Sequence, residues 1–347
     1  MTSTTNYKSR LAKEIVILAI CVMGGALLAG RALALTISTP IFDISADPGE
    51  NVTETLKIFN ESDNWATLYA STADFSAKDS EEGIPEFLPV QEGDNSLANW
   101  IEVSKDPVTI LPSEQKNIQF TIHVPRNADP GGHYAAVFFG TQPGDASGSS
   151  VGLSSKLGAL VLLTVSGDIN EAGSLKEFKL QDPKPFYDHL PVWFSILFEN
   201  SGNVHLKPQG EIKITNWLGW GSDKVLVNKE EMMGGKNILP GTSRHLEAMW
   251  TLGPIQVKDN GFLDKLKNEA GNFALGRYKA SLNLGYGTQG KTVNANLIFW
   301  VFPWHLILVF VLSAAILIFL AIKTIRGYNR WIVKRASKKI NSNDKAQ

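Results

Sequence analysis

The stretch LPVWFSILFENSGNVHLKPQGEIKITNWLG, residues 190–219, decides how the whole chain is read. Val192, Phe194, Ile196 and Phe198 recur at every second position, the period of a strand whose alternate side chains enter a core. Asn200, Gly202 and Asn203 supply turn chemistry, and a positive φ is expected there. Beyond the turn, Ile212 and Ile214 point inward while Glu211, Lys213 and Thr215 point outward, and Pro208 marks an edge or a bulge. His205 follows the turn with no second histidine or carboxylate at metal-ligand spacing. The conspicuous residues are therefore scaffold, two strands with one buried face, and not a site.

The pattern extends in both directions. VTETLKIFNES (52–62) and NIQFTIHVP (117–125) alternate, while GHYAAVFFG (132–140) and LGALVLLTVSG (157–167) are apolar runs bounded by glycine. Turns fall at DPGE (47–50), LPSEQ (111–115) and NADPGG (127–132), and GTQPGDASGSSVGLSSK (140–156) reads as a long Gly/Ser-rich connection. Later strands are RHLEAMWTL, GRYKASLNLGYG and KTVNANLIFWVF, with GFLDKLKNEAG (261–271) a short helix between them. Short strands with regular turns predict an all-β chain of two tandem Ig-like sandwiches, residues 35–168 and 169–297.

Both ends lie outside that pattern. Lys8, Arg10 and Lys13 precede the apolar IVILAICVMGGALLAG, and Ala32-Leu33-Ala34 is an A-x-A signal, so residues 1–34 read as a signal peptide, with an uncleaved anchor as the alternative. Cys21 follows Ile20 where a lipoprotein signal needs a small residue, so it is not a lipidation site. Residues 298–322 carry no Asp, Glu, Lys or Arg and are expected to form a transmembrane helix. Residues 323–347 hold eight Lys or Arg against one Asp and are expected in the cytoplasm. The expectation is a single-pass type I protein of a bacterial cell membrane. Cysteine usage agrees, since Cys21 is the one cysteine and residues 35–297 have none; the sequons at Asn51 and Asn60 then carry little meaning.

Charge is uneven. Residues 35–168 hold six Lys/Arg against nineteen Asp/Glu, a net of −13, and residues 169–297 hold fifteen against thirteen, a net of +2. An acidic distal half argues against nucleic acid as a partner. A G-x-S-x-G match at residues 148–152 lies in the Gly/Ser stretch, without the strand–turn–helix setting that exposes a nucleophile. The six histidines are scattered, and the acidic loops at 79–83 and 92–95 lack the D-x-D-x-D-G order of a calcium loop and read as solvated. Trp250-Thr251-Leu252 matches a W-x-L triplet but sits in a strand. No catalytic set, cofactor or metal is expected.

DPGENVTETLKIFNESD, NWIEVSKDPVTILPSEQKNIQFTIHVP and DPGGHYAAVFFG resemble the N-terminal domain of the WxL-interacting proteins (DUF916), through Pro48-Gly49, Asn60, Leu111-Pro112 and the apolar entry at 131–139. The resemblance covers about residues 36–166, and the second half departs from that family. It implies a surface-anchored protein that attaches to cell-wall polymer or to a surface protein, with peptidoglycan binding proposed for the first domain. The leading expectation is thus a non-enzymatic, membrane-anchored binding or scaffolding protein. The alternative is a membrane-tethered assembly chaperone for exported subunits that acts by strand addition. In either case the first domain is expected to make the main contact, through the long loops at 76–99 and 141–155, with Phe87 and Trp100 as partner-binding anchors.

Overall fold

The computed structural model describes residues 35–77, 81–88, 95–141, 156–219, 222–229, 235–254 and 261–343. The signal-peptide segment, the G-x-S-x-G match and parts of both acidic loops lie outside them. The described chain is mostly β, its sheets resembling tandem Ig-like sandwiches, and ends in one long apolar helix. It falls into two compact units that divide between Ser166 and Gly167, with Ser76–Glu86 grouping with the second.

The first unit is built from β1 (Leu35–Ile37), β2 (Ile41–Ala46), β3 (Asn51–Asn60), β4 (Ala66–Ala77), β5 (Pro85–Leu88), α1 (Leu97–Trp100), β6 (Ile101–Val103), β7 (Val108–Ile110), β8 (Gln115–His123), β9 (Gly131–Gly140) and β10 (Lys156–Val165). One sheet has the order β1-β3-β8-β6; the other has the order β2-β10-β9-β4-β5, with β7 on β4. The chain changes sheets at its start. β1 pairs antiparallel with β3, and after Pro40, which has no N–H to extend that ladder, β2 pairs parallel with β10. Leu56, Ile58, Phe120 and Ile122 from one sheet meet Val137, Phe139, Val161 and Leu163 from the other. Each such side chain contributes about 1.5–3 kcal/mol by leaving water. Trp100 belongs to this core, with 5% of its surface exposed, so its place as a partner-binding anchor is corrected. The short α1 turns its ring inward against His133.

The second unit contains β11 (Gly173–Leu180), β12 (Val192–Asn200), β13 (Gln209–Asn216), β14 (Ser222–Val227), β15 (Ser243–Trp250), α2 (Phe262–Gly271), β16 (Gly276–Tyr286) and β17 (Lys291–Val301), then α3 (Trp304–Asn343). Its sheets are β11-β12-β15 and β14-β13-β16-β17. Val192, Phe194, Ile196 and Phe198 are all buried, facing Ile212, Leu282 and Phe299 in one core. Trp250 of the W-x-L triplet is in that core too, its indole N–H donating to Asp223 Oδ2 at 2.7 Å.

In each unit one core strand, β3 in the first and β12 in the second, ends on a fully buried asparagine. Asn200 Nδ2 donates to the carbonyls of Val204 and Ile238, each at 2.8 Å, and its Oδ1 accepts the Gly202 N–H at 2.9 Å. Asn60 repeats the arrangement, donating to Asn64 O at 2.7 Å and accepting from the Ser62 N–H at 3.1 Å. The turn after Asn200 does not use the positive φ that its composition suggested. Gly202 is needed for space: a Cβ there would lie 2.1 Å from the Asn170 carbonyl oxygen.

The apolar run of 298–322 is divided between two elements. Ile298–Val301 pair with Gly276–Lys279 as the end of β17, so the helix begins at Trp304. It then continues past Ile322 into the basic segment as far as Asn343, because no proline interrupts it. Within it Trp304–Val333 is long and apolar enough to cross a membrane, and almost none of that stretch is buried.

Candidate functional site

The two sheets of the first unit differ on their outer faces. On β3 and β8 the outward residues are polar apart from Phe59: Lys57 and Gln119 are exposed, and Thr53 and Thr121 share a hydrogen bond of 2.9 Å. That is the usual alternation of a sheet with one face in water. On β9 and β10 both faces are apolar. Ala135, Val137 and Phe139 enter the core, so Tyr134, Ala136 and Phe138 lie on the opposite face, beside Gly158, Leu160 and Leu162 of β10; Ala136 and Leu162 are themselves buried there, as is Phe75 of β4. An aromatic row runs across this face: Tyr134 to Phe75 (5.9 Å between ring centroids), Phe75 to Phe87 (6.1 Å) and Phe87 to Phe138 (4.9 Å). Phe87 is 45% exposed, and Phe138 lies across its register partner Gly158, where a Cβ would meet the ring at 2.6 Å.

Beside this row β10 has an open edge. β2 covers Leu160–Val165, and among the described residues no strand pairs with Lys156–Ala159 on that side. The direction of the free groups follows from the ladder. Leu160 donates its N–H to Pro40 O at 2.8 Å, so the main-chain groups of Gly158 and Lys156, two and four residues back, point the same way. The edge therefore offers two N–H donors and two carbonyl acceptors next to an apolar, aromatic surface. No signal in the sequence marks the edge, because the edge depends on how far β2 reaches along β10.

A second cluster lies in the second unit. Asp188, Glu269 and His305 bring ligand-type atoms within 4.8 Å of one another, the geometry of a cation site. Their separation in sequence gives no spacing signal. Glu269 is fully buried and already engaged: it accepts from the Leu306 N–H at 2.7 Å, from the His305 N–H at 3.4 Å, and bonds to His305 Nδ1. It thus caps the first turn of α3, satisfying N–H groups that a helix start leaves without partners. Asp188 pairs with His189 Nδ1 at 2.8 Å, and the imidazole beside it holds its carboxyl down at about 2. These contacts give the cluster a structural role without any ion.

A serine–histidine–carboxylate line also occurs in this unit. Ser195 Oγ meets His245 Nδ1 at 3.0 Å, and His245 Nε2 meets Glu81 at 2.8 Å. Ser195 is buried in mid-strand, between β11 and β15, where the neighbouring main-chain groups belong to the sheet ladders. A nucleophile needs an exposed Oγ with free N–H groups beside it, and this setting supplies neither.

No family model matches the chain, and no curated protein matches it. Among solved structures it is similar to the class 5 fimbriae chaperone CfaA, at 14% identity and a TM-score of 0.34, over 78% of this chain and 100% of that one. The E. coli chaperone DraB gives 11% identity and a TM-score of 0.31, over 77% and 100%. PapD-like domain 7 of human CEP192 gives 12% and 0.26, over 38% and 84%. These findings correct the family expectation: the structures named are two chaperones and a PapD-like domain, and none of them is a WxL-interacting protein. The residues behind that expectation are turn and strand-end residues. Gly49 sits at positive φ and Asn60 organises a buried turn, which a sandwich of this kind needs whatever its family.

Proposed function

We propose that the chain is a non-enzymatic, membrane-anchored assembly chaperone that holds exported protein subunits by adding one of their strands to the open half of β10. The carrying observation is the unpaired edge at Lys156–Ala159 beside the row of Phe75, Phe87 and Phe138. Magnitudes explain why both parts are needed. Four main-chain hydrogen bonds at about 1 kcal/mol each give about 4 kcal/mol, a dissociation constant of about 1 mM. Useful affinity then requires alternate apolar side chains of the incoming strand to cover the aromatic row. In this reading α3 crosses a bacterial cell membrane, both sandwiches face outward, and Lys323, Arg326 and Arg330 sit on the cytoplasmic side.

Photo-crosslinking in the native cells tests this. A benzophenone amino acid at Lys156 or at Phe87 should capture exported proteins through segments of alternating apolar residues. The same probe at Lys57, on the polar sheet face, should not. Crosslinks at Lys156 and Phe87 to wall polymer alone would replace the chaperone reading with a wall-binding one, and equal capture at Lys57 would remove the edge from the argument.

A further inference from the structure

α2 is inside out for a helix in water. It buries Asn268 and Glu269 and exposes Phe262 and Leu263, the latter at 68%. On the buried side Glu269 caps α3; Phe262, about half exposed, touches His305 with one edge of its ring, at 5.6 Å between centroids. The apolar outer side is not, because such residues at the surface of a water-facing helix gain nothing there.

The surroundings repeat the feature. Trp217, Phe273, Trp300 and Phe302 are all exposed, and the strand registers place them at one end of the second unit. Gly276 pairs with Val301, and Asn216 with Tyr278. α3 leaves from the same end. Val301 closes β17 and Trp304 opens the helix, so the linker of Phe302 and Pro303 holds the two within about 10 Å. The capped first turn fixes the helix direction relative to α2. The exposed patch is thus continuous with the apolar surface of α3, and Lys267 and Arg277 are exposed among its aromatic residues. Tryptophan and phenylalanine beside basic side chains form the composition of a membrane–water boundary.

We infer that this end of the second unit is a lipid-docking foot, in which Phe262 and Leu263 of α2, flanked by Trp217, Trp300 and Phe302, enter the headgroup-to-acyl boundary of the bilayer. The inference rests on the reading of α3 as a membrane-spanning helix. Insertion of about 5–10 Å is the depth at which interfacial helices lie. The foot then sets the tilt of the sandwich over the membrane, in addition to the tether.

The test uses the full chain in a Cys21→Ser background, reconstituted in phosphatidylcholine/phosphatidylglycerol vesicles. An NBD dye is attached at Leu263→Cys, Ile316→Cys or Lys57→Cys in turn. At position 263 the emission should shift to the blue, be quenched by lipids brominated near the headgroup, and be shielded from aqueous iodide. At position 57 iodide should quench and brominated lipid should not. Iodide quenching at 263 equal to that at 57, with lipid quenching intact at 316, would overturn the foot while leaving the anchor. A dye at 263 shielded from iodide but not quenched by brominated lipid would also overturn it, since a protein surface would then cover the patch. Absence of lipid quenching at 316 would remove the anchor and the foot together. All three side chains lie on the protein surface, outside either core, so labelling leaves the cores intact.

Discussion

Replacing Asn200 by alanine should unfold the second unit far more readily and leave the first unit unchanged. The side chain is fully buried and makes three hydrogen bonds, two donated to main-chain carbonyls and one accepted from a main-chain N–H. Alanine leaves the Val204 carbonyl and the Gly202 N–H without these partners, and Ile238 O keeps only the Leu206 N–H. At about 1 kcal/mol for each bond the loss is about 3 kcal/mol, a large part of the stability of a single domain. Amide hydrogen exchange on the detergent-solubilised full chain reads each unit separately. A loss of that size should speed the slowest amides of β12 and β15 by about a hundredfold, at 1.4 kcal/mol per factor of ten. Peptides from β3 and β8 should exchange as before. Asn200→Asp should be worse than alanine at neutral pH, because a carboxylate would face two carbonyl oxygens. A change of under threefold in β12, or an equal acceleration in β3, would refute the view that Asn200 organises its own sandwich.

Three further outcomes are expected. Lys156→Pro removes one outward N–H at the first residue of β10, where proline is tolerated, so partner capture at Phe87 should fall about fivefold with unchanged thermal stability. Asp188 is held at about 2, below its ordinary 3.8, chiefly by the His189 ring paired with it. Its ionised form therefore stabilises the fold above about pH 4, and that contribution is lost as pH falls towards 2. After discounting for solvent, the stability gap between wild type and Asp188→Asn should be about 1 kcal/mol at pH 5 and close to zero at pH 2, as read by acid-dependent urea unfolding. Glu269→Ala should speed amide exchange at His305 and Leu306, whose N–H groups donate to this carboxylate, more than Glu269→Gln does, since glutamine keeps an acceptor for the first turn of α3; equal effects would deny the capping role.

Sequence alone carried the architecture, because its signals are local. A period of two in VWFSILF, turn residues at their spacings, and a long run without charge each reflect the chain's own neighbours, and they yielded strands, sandwiches and an apolar helix. Family motifs misled for the same reason, since Asn60 and Pro48-Gly49 report a turn that many sandwiches share. Trp100 and the start of the helix were also beyond local reading. Whether a tryptophan is core or surface, and whether Ile298–Val301 continue a strand or begin a helix, depends on what lies opposite: the α1 turn and His133 in one case, Gly276–Lys279 in the other. The open edge of β10, the aromatic row on Phe87 and the Glu269–His305 cap exist only as contacts between residues remote in sequence. Strand periodicity says which face of a strand is apolar, but a free edge is defined by the length of its neighbour, and a buried carboxylate by the helix it caps. Those relations are set by packing, and only the tertiary structure decided them.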